Sequence, residues 1–345
     1  MSPAQTKLHL LAGLLALAAA TACERTPERL TGEFYAMGGI PVRVAAYQTD
    51  RRVFQETVEA FRKKVQALEA QISVYRNNSL ISRAGRGEAV ELPPQVLAVI
   101  QEALDLSRET GGTFDPTVGP LVALWKSGAK RGIPPGAEEI RAALKLTGTG
   151  HVHLETKQGK TFLSLDPGSR LDLGGIAKGY FADLGVRMLK EAGVRRGLVE
   201  LGGDLVAFDL SRSTTRFKIG VRHPRDKGKL LGRLRVQSGG VVTSGDYERY
   251  AEIAGRRYSH IIDPRTGMPA GELCAVTLTA DSGTRADALA TAVMVLGAER
   301  GLELVERLPG VEALILAGLP TGDLRVLRSS GIGGSYEPEG SAGEN

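Results

Sequence analysis

The sequence predicts an α+β fold, in which runs of consecutive strands are interrupted by helices. Short apolar and β-branched segments separated by turn residues follow one another between residues 198 and 280, as expected for strands that pair with their sequence neighbours. Other segments carry apolar residues at spacings of three and four, which is the period of an amphipathic helix. Because strands and helices do not alternate regularly, a doubly wound parallel sheet is not favoured.

The predicted elements can be placed in order along the chain. A strand region runs from Phe34 to Tyr47 and is followed by a helix whose apolar stripe ends at Ile72. A second helix begins near Pro94, because proline is accommodated in a first helical turn, and it ends before Gly111. The later predictions are a strand over 198–208, helices over 177–192, 285–296 and 298–308, and closing strands over 311–317 and 324–327.

The two ends of the chain differ in composition from its middle. An apolar run from Leu10 to Ala22 is too short for a transmembrane helix and is typical of a signal peptide over residues 1–22. Small residues before Cys23 resemble a bacterial lipobox, with cleavage by the ordinary signal peptidase as the alternative. We therefore expect a polar tether over residues 23–33 and a protein that is lipid-anchored through Cys23 on the periplasmic side of the inner membrane. The glycine- and serine-rich residues 329–345 predict a disordered tail.

Charge and cysteine content exclude several classes of protein. The net charge of +5 comes from 44 basic and 39 acidic residues, which are mixed along the chain, so nucleic acid is not an expected partner. The chain has two cysteines, Cys23 and Cys274, far apart in sequence. A disulfide framework and a zinc cluster are therefore not expected.

Two oxygen-bearing side chains stand four residues apart in a predicted helix. Asp287 and Thr291 therefore project from the same helical face. Such hard ligands suit magnesium or calcium better than zinc. A hard cation near a proton acceptor is typical of chemistry on phosphates. A structural interpretation stays open, because an aspartate near a helix start is a common cap and a mid-helix threonine can donate to the preceding turn.

Three other features could contribute to a phosphate site. Gly174 and Gly175 precede a predicted helix, where backbone N–H groups can bind a pyrophosphate and turn glycines are the structural alternative. Lys178, in the first turn of that helix, could contact a phosphate or form an ion pair with a nearby carboxylate. Among five histidines, His260 is the candidate proton acceptor by elimination, and a structural role is again the alternative.

Eight short motifs follow one another in a fixed order along the chain. They are Met37-Gly38, the segment from Ser73 to Arg83, Gly112-Thr-Phe-Asp115, Asp172-Leu-Gly-Gly-Ile-Ala-Lys178, Leu201-Gly-Gly-Asp204, Thr243-Ser-Gly-Asp246, Ser259-His-Ile-Ile-Asp263 and Asp287-Ala-Leu-Ala-Thr291. This set resembles the FAD:protein FMN transferase family, the ApbE-like flavin transferases, over residues 34–328. Eight dispersed motifs in one order are far more specific than any one of them alone.

The resemblance implies both a fold and an activity. The implied fold is a T-fold-like α+β domain over residues 34–328, with mixed or antiparallel sheets flanked by helices. Such enzymes cleave FAD with the help of Mg²⁺, attach FMN through a phosphoester to a Thr or Ser of a target protein, and release AMP. The expected partners are thus FAD and an acceptor protein, for instance a subunit of a membrane redox complex.

The resemblance also implies roles for individual residues. The magnesium ligands would be the Gly175 carbonyl, Asp287 and Thr291. His260 would act as the base or orienter for the attacking hydroxyl, and Asp287 would be catalytic through the metal. The residues implied to line the FAD site are Met37, Tyr75, Thr113, Phe114, Asp115, Asp172, Lys178, His260 and Ile261. The same set would also serve an FAD pyrophosphatase that uses water, or a lipoprotein that only binds flavin.

Overall fold

The fold combines antiparallel sheets with helices, which confirms the predicted α+β class. A computed structural model describes residues 28–211, 214–226, 228–247, 250–319 and 323–340. The helices are α1 (Arg51–Ile72), α2 (Leu80–Ala84), α3 (Pro94–Glu109), α4 (Gly119–Arg131), α5 (Ala137–Leu144), α6 (Ala177–Glu191), α7 (Gly283–Leu296) and α8 (Ala298–Arg307). Within the described residues no helix has the length and apolar character of a membrane span.

The strands form one large sheet and three small ones. In chain order they are β1 (Arg29–Ala36), β2 (Ile40–Tyr47), β3 (Val90–Glu91), β4 (Val152–Lys157), β5 (Lys160–Leu165), β6 (Arg196–Leu201), β7 (Asp204–Asp209), β8 (Phe217–Arg222), β9 (Leu230–Val236), β10 (Gly239–Gly245), β11 (Tyr250–Ile253), β12 (Arg256–Ser259), β13 (Leu273–Ala280), β14 (Glu312–Gly318), β15 (Leu324–Arg328) and β16 (Tyr336–Pro338). The large sheet has the order β1-β2-β6-β7-β10-β13-β14-β15. The small sheets are β11-β12, β16-β9-β8 and β3-β5-β4.

Glycine pairs divide two of the predicted strands into hairpins. The predicted strand region from Phe34 to Tyr47 turns at Gly38 and Gly39, whose φ angles are +77° and +109°. The predicted strand over 198–208 likewise breaks at Gly202–Gly203 into β6 and β7. Positive φ is accessible to glycine at little cost and is incompatible with a continuous strand. Gly38–Gly39 and Gly202–Gly203 are therefore turn glycines between paired strands.

Helix α7 is buried on nearly all sides, and this determines where its polar residues lie. It packs against β10, β13, α6 and α8. Its buried side chains include Leu289, Ala292 and Val293, each fully inaccessible to solvent. A helix that is apolar around its whole circumference belongs in a protein core. A carboxylate on this helix is thus held in an apolar environment unless other groups partner it.

Both predicted boundaries of the domain need correction. Strand β1 begins at Arg29 and pairs along its length with β2, so the tether predicted over 23–33 is too long. The tail predicted to be disordered from Ser329 is ordered through residue 340, because β16 pairs with β9 and two apolar side chains, Ile332 and Tyr336, are buried in a small core. The predicted signal peptide, Cys23 and residues 341–345 lie outside the described residues.

Candidate active site

Helix α6 begins in the glycine-containing segment that the sequence singled out. Asp172 Oδ1 accepts a hydrogen bond of 2.8 Å from the Gly174 amide, which tightens the turn before the helix. The Asp172 amide in turn donates to the Pro116 carbonyl over 2.7 Å. The two motifs around residues 115 and 172, distant in sequence, are therefore joined at the start of α6.

Asp287 and Thr291 lie on α7, and the structural alternative applies to only one of them. The cap of this helix is Ser282, whose side chain accepts from the Arg285 amide, so Asp287 is not a cap. The Asp287 carboxylate is 2% exposed, and its Oδ2 accepts from the Gly179 amide of α6 over 3.1 Å. The Thr291 hydroxyl does donate to the preceding turn, to the Asp287 carbonyl at 3.1 Å. That donation leaves the oxygen lone pairs of the hydroxyl for another partner.

Gly175 lies next to both Thr291 and Phe114. An ideal Cβ built on Gly175 would lie 3.1 Å from Thr291 Oγ1 and 3.3 Å from the Phe114 ring. The absence of a side chain here keeps a small space next to the threonine hydroxyl. The three positions that the family resemblance connects with metal and flavin are therefore neighbours.

Lys178 forms an ion pair with Asp204, which was one of the two roles left open for it. Asp204 is 1% exposed, and its Oδ1 also accepts from the Thr243 amide over 3.1 Å. Burial raises the pKa of Asp204, Lys178 opposes that rise, and the negative charge of Asp287 adds to it. The two carboxylates therefore lie close enough to interact electrostatically.

The segment from Thr113 to Asp115 is held by local hydrogen bonds. Thr113 and Phe114 are buried, at 4% and 3% exposure, and the Thr113 hydroxyl donates to the Thr110 carbonyl over 2.9 Å. Asp115 Oδ1 accepts from both the amide and the hydroxyl of Thr117, at 2.7 and 2.6 Å. Burial raises the pKa of Asp115, and these hydrogen bonds oppose the rise. This carboxylate is thus already engaged within its own loop.

Met37 and Tyr75 lie at the same end of α1. Met37, in the β1–β2 turn, donates its amide to Glu69 of α1 over 2.9 Å and has a φ of +49°. Tyr75 follows the end of α1 and is 77% exposed, with its hydroxyl 2.9 Å from Nζ of Lys126. An exposed ring at a fixed position offers a flat surface on which another ring system can stack.

His260 occupies a different environment from the helix pair. It lies exposed in a bend directly after β12, while the next residue, Ile261, is 7% exposed and belongs to the main core. The adjacent hairpin β11–β12 packs against α4, and the centroids of the Tyr258 and Trp125 rings lie 5.0 Å apart. Trp125 Nε1 also donates to the Gly267 carbonyl over 2.8 Å.

The donor set around Gly175 fits a hard divalent cation. A carboxylate, a hydroxyl and a main-chain carbonyl are the oxygen ligands that Mg²⁺ and Ca²⁺ accept, and the space beside Gly175 would be filled by any Cβ. Asp204, Asp287 and Lys178 together carry one formal negative charge when ionised, which favours a cation. Among the described residues no group of three or more His, Cys, Asp or Glu side chains could hold a metal. A site here would accordingly depend on hydroxyl and main-chain oxygens.

Asp204 and Lys126 contact candidate site residues but are not marked as such by the sequence. Asp204 stands beside the Gly202–Gly203 turn and could have been suggested by the alternative ion-pair role of Lys178. Its partner is 26 residues away, however, and only the hairpin β6–β7 brings the two together. Lys126 is 51 residues from Tyr75 and carries no recognisable pattern.

The fold and the site together define a class of protein. An α+β domain that places buried oxygen donors beside a glycine-containing helix start has the parts needed for metal-assisted phosphoryl transfer. A family model described as the ApbE family matches residues 38–315. The chain belongs to the ApbE family.

Named relatives and solved structures agree with this membership. A Treponema pallidum protein named FAD:protein FMN transferase is 35% identical over 308 residues, covering 84% of this chain and 84% of that protein. A Vibrio cholerae protein of the same name is 35% identical over 264 residues, covering 74% of this chain and 77% of that protein. The crystal structure of the ApbE protein from Thermotoga maritima has a TM-score of 0.77 at 32% identity and covers 88% of this chain and 97% of that one. The flavin transferase ApbE from Vibrio cholerae has a TM-score of 0.75 at 29% identity, covering 90% of this chain and 99% of that one. These matches confirm the family resemblance inferred from the sequence. They also confirm the predicted enzyme class, a flavin transferase.

Proposed function

We propose that this protein is a Mg²⁺-dependent FAD:protein FMN transferase. It binds FAD, transfers FMN to a Thr or Ser hydroxyl of an acceptor protein and releases AMP. The names of its relatives support FAD as the substrate and a protein as the acceptor. The observation that carries the proposal in this chain is the packing of Gly175 against Thr291 and of Gly179 against Asp287, with the Lys178–Asp204 ion pair beside them.

The transfer exchanges one phosphoester-type bond for another. The acceptor hydroxyl oxygen attacks the FMN phosphorus of FAD, a new P–O bond forms, and the bond from that phosphorus to the AMP phosphate breaks. AMP leaves with the bonding electron pair, and the hydroxyl proton passes to a base, for which His260 is the candidate. A cation held by the Gly175 carbonyl, Asp287 and Thr291 would neutralise the charge that develops on the pyrophosphate oxygens.

The protein side chains have separate tasks in this scheme. Lys178 forms an ion pair with Asp204 close to the proposed metal face, which consists of Gly175, Asp287 and Thr291, and its positive charge would attract phosphate oxygens. Amide groups at the start of α6 lie where a helix N-terminus favours negative charge. Tyr75 and Met37, at one end of α1, would cover the isoalloxazine ring.

The proposal can be tested by product analysis. The purified chain is incubated with FAD, Mg²⁺ and an acceptor protein that carries a candidate Thr or Ser, and the acceptor is examined by intact-mass spectrometry. An FMN adduct formed together with an equal amount of AMP, and lost on chelation of Mg²⁺, is the expected result. FMN and AMP without adduct would identify a pyrophosphatase, and bound but intact FAD would identify a flavin-binding protein.

We further propose that the mature protein is anchored outside the cytoplasm through lipidated Cys23. The support is the sequence before this cysteine alone, since Cys23 lies outside the described residues. Expression of the full chain and of Cys23→Ser, followed by membrane fractionation and mass analysis of the amino terminus, tests this. The wild-type chain is expected in the membrane fraction with a lipid-modified cysteine, and a soluble wild-type chain with a simple cleaved terminus would contradict it.

A further inference from the structure

Helix α6, together with Gly175 just before it, is joined to α7 by three contacts at regular intervals. Asp183 contacts Gly283 and Thr284, Gly179 contacts Asp287, and Gly175 lies next to Thr291. On the α6 side the contacting positions fall from 183 to 179 to 175, and on the α7 side they rise from 283–284 to 287 to 291. This is the spacing of neighbouring faces on two helical segments that run in opposite directions. The three contacts are called the α6–α7 ladder below.

The Asp183 contact is the end of the ladder farthest from the candidate metal ligands. Asp183 Oδ1 accepts from the Gly283 amide over 2.9 Å, and Oδ2 accepts from the amide and hydroxyl of Thr284 at 2.8 and 2.5 Å. One carboxylate thereby satisfies two backbone N–H groups that have no partner within α7. Its negative charge is also favourable at the positive end of the helix dipole.

The middle of the ladder is a direct contact between two backbones. A Cβ on Gly179 would lie 2.1 Å from the Gly283 carbonyl oxygen, and a Cβ on Gly283 would lie 2.4 Å from the Val206 side chain. With no side chain between them, the helices have little freedom to slide without breaking the hydrogen bond from Gly179 to Asp287. A shift of α7 relative to α6 at one end of the ladder would therefore also move the other end.

Asp183 differs from an ordinary helix cap because it comes from another helix. The local cap of α7 is Ser282, which accepts from Arg285 three residues on. Asp183 is 100 residues from Gly283 in sequence, so it fixes where α7 lies relative to α6 rather than whether α7 forms. At a rise of 1.5 Å per residue, Asp287 and Thr291 follow Thr284 by only about 4.5 and 10.5 Å along the helix.

We propose that Asp183 is a positioning residue for the metal site, holding the start of α7 against α6 so that Asp287 and Thr291 meet Gly175 in register. This inference rests on the proposed function, because that function includes the metal ion whose ligands the ladder would position. In this proposal Asp183 is not a metal ligand and acts only through its contacts with Gly283 and Thr284. Partners that orient metal ligands from outside typically contribute about 10–100-fold to metal affinity.

Asp50 offers a matched control elsewhere in the chain. Its Oδ1 accepts from the amides of Arg52 and Val53 at the start of α1, at 2.9 and 3.0 Å. It therefore satisfies two helix N–H groups, as Asp183 does, but within its own helix and away from the ladder. Asp50→Ala and Asp183→Ala should both lower Tm by a few degrees.

The experiment separates metal binding from folding and from flavin binding. Mn²⁺ is titrated into each protein with FAD present and acceptor absent, and free Mn²⁺ is followed by electron paramagnetic resonance. We expect Asp183→Ala to weaken Mn²⁺ binding about 10–100-fold, with FAD affinity in metal-free buffer unchanged. Asp50→Ala should bind both ligands as the wild type does. Wild-type Mn²⁺ affinity in Asp183→Ala, or an equal loss in Asp50→Ala, would overturn the inference.

A second variant keeps the test decisive if Asp183→Ala does not fold. Asp183→Asn preserves the side-chain shape and one acceptor oxygen, but turns an NH₂ group towards the donors that the other oxygen served. Loss of about one hydrogen bond predicts roughly fivefold weaker Mn²⁺ binding, and unchanged binding would contradict the inference. If the wild-type chain binds FAD but no Mn²⁺, the metal site of the proposed function is contradicted, and the positioning role of Asp183 is contradicted with it.

Discussion

The helix pair that carries Asp287 and the bend that carries His260 are built in different ways. Asp287 is 2% exposed on a helix buried on nearly all sides, and a backbone amide of another helix fixes its carboxylate. His260 is exposed after a two-stranded hairpin that is attached through ring contacts such as that between Trp125 and Tyr258. The geometry of the proposed metal face is therefore set by folding itself, whereas that of the histidine depends on a few surface side chains.

Removal of the Asp287 carboxylate should have the largest effect. Asp287→Ala deletes the charged oxygen donor of the metal face, and we expect FMN transfer to fall by about 10³-fold or more. The rate is measured against Mg²⁺ concentration, with Asp281→Ala, an exposed aspartate just before the same helix, as the control. Near wild-type turnover in Asp287→Ala would show that transfer does not depend on a metal held by Asp287.

His260→Gln tests the exposed side of the comparison. If His260 takes the proton of the acceptor hydroxyl, transfer should fall by about 10²-fold. Binding of FAD and Mg²⁺ should stay unchanged, and the free energy of unfolding should change by less than about 0.5 kcal/mol because the residue lies at the surface. His153→Gln, another exposed histidine, serves as the control. An unchanged transfer rate would mean that another group accepts this proton.

Two glycines of the α6–α7 ladder should respond unequally to alanine. In Gly179→Ala the new methyl group would meet the Gly283 carbonyl oxygen at 2.1 Å, so the backbones must separate, at a cost of about 1–3 kcal/mol. In Gly175→Ala the nearest atom is Thr291 Oγ1 at 3.1 Å, and a cost below about 1 kcal/mol is expected. Urea unfolding measures both, and equal losses would contradict the close backbone contact.

Glu102 of α3, which interacts electrostatically with Asp183 of the helix pair, carries an electrostatic cost that depends on pH. Burial, together with the charge of Asp183, raises the pKa of Glu102 to about 7. A carboxyl whose pKa is higher in the folded than in the unfolded chain favours folding at low pH, and this contribution is lost as the pH rises from about 4.5 through 7. Glu102→Gln should therefore stabilise the protein at pH 8 by about 1–2 kcal/mol, a figure reduced because the carboxyl is partly solvated, and should have little effect near pH 4. Equal effects of the substitution on Tm at the two pH values would contradict this.

The sequence predicts the elements of the metal face better than their connections. The spacing of Asp287 and Thr291 is sufficient to place both on one face of a helix, and the family motifs add Gly175. Asp183 and Asp204 have partners 100 and 26 residues away, and no local period or cap signal marks such contacts in a single sequence. They are found only when α6, α7 and the β6–β7 hairpin are packed together.

The wrong predictions have the same kind of cause. The low-complexity tail hides Ile332 and Tyr336, two apolar residues that become buried against β9 and its neighbours. The strand predicted over 198–208 passes through Gly202 and Gly203, whose positive φ angles turn the chain back on itself. Composition describes the average of a segment, whereas one or two residues determine its structure in these cases.

The most direct measurement is the anomalous difference density of a crystal of this protein soaked with Mn²⁺ and FAD. We expect a metal peak bound by the Gly175 carbonyl, the Asp287 carboxylate and the Thr291 hydroxyl, next to the pyrophosphate of FAD. A metal that binds FAD without touching Asp287, or that occupies a position away from α7, would contradict it.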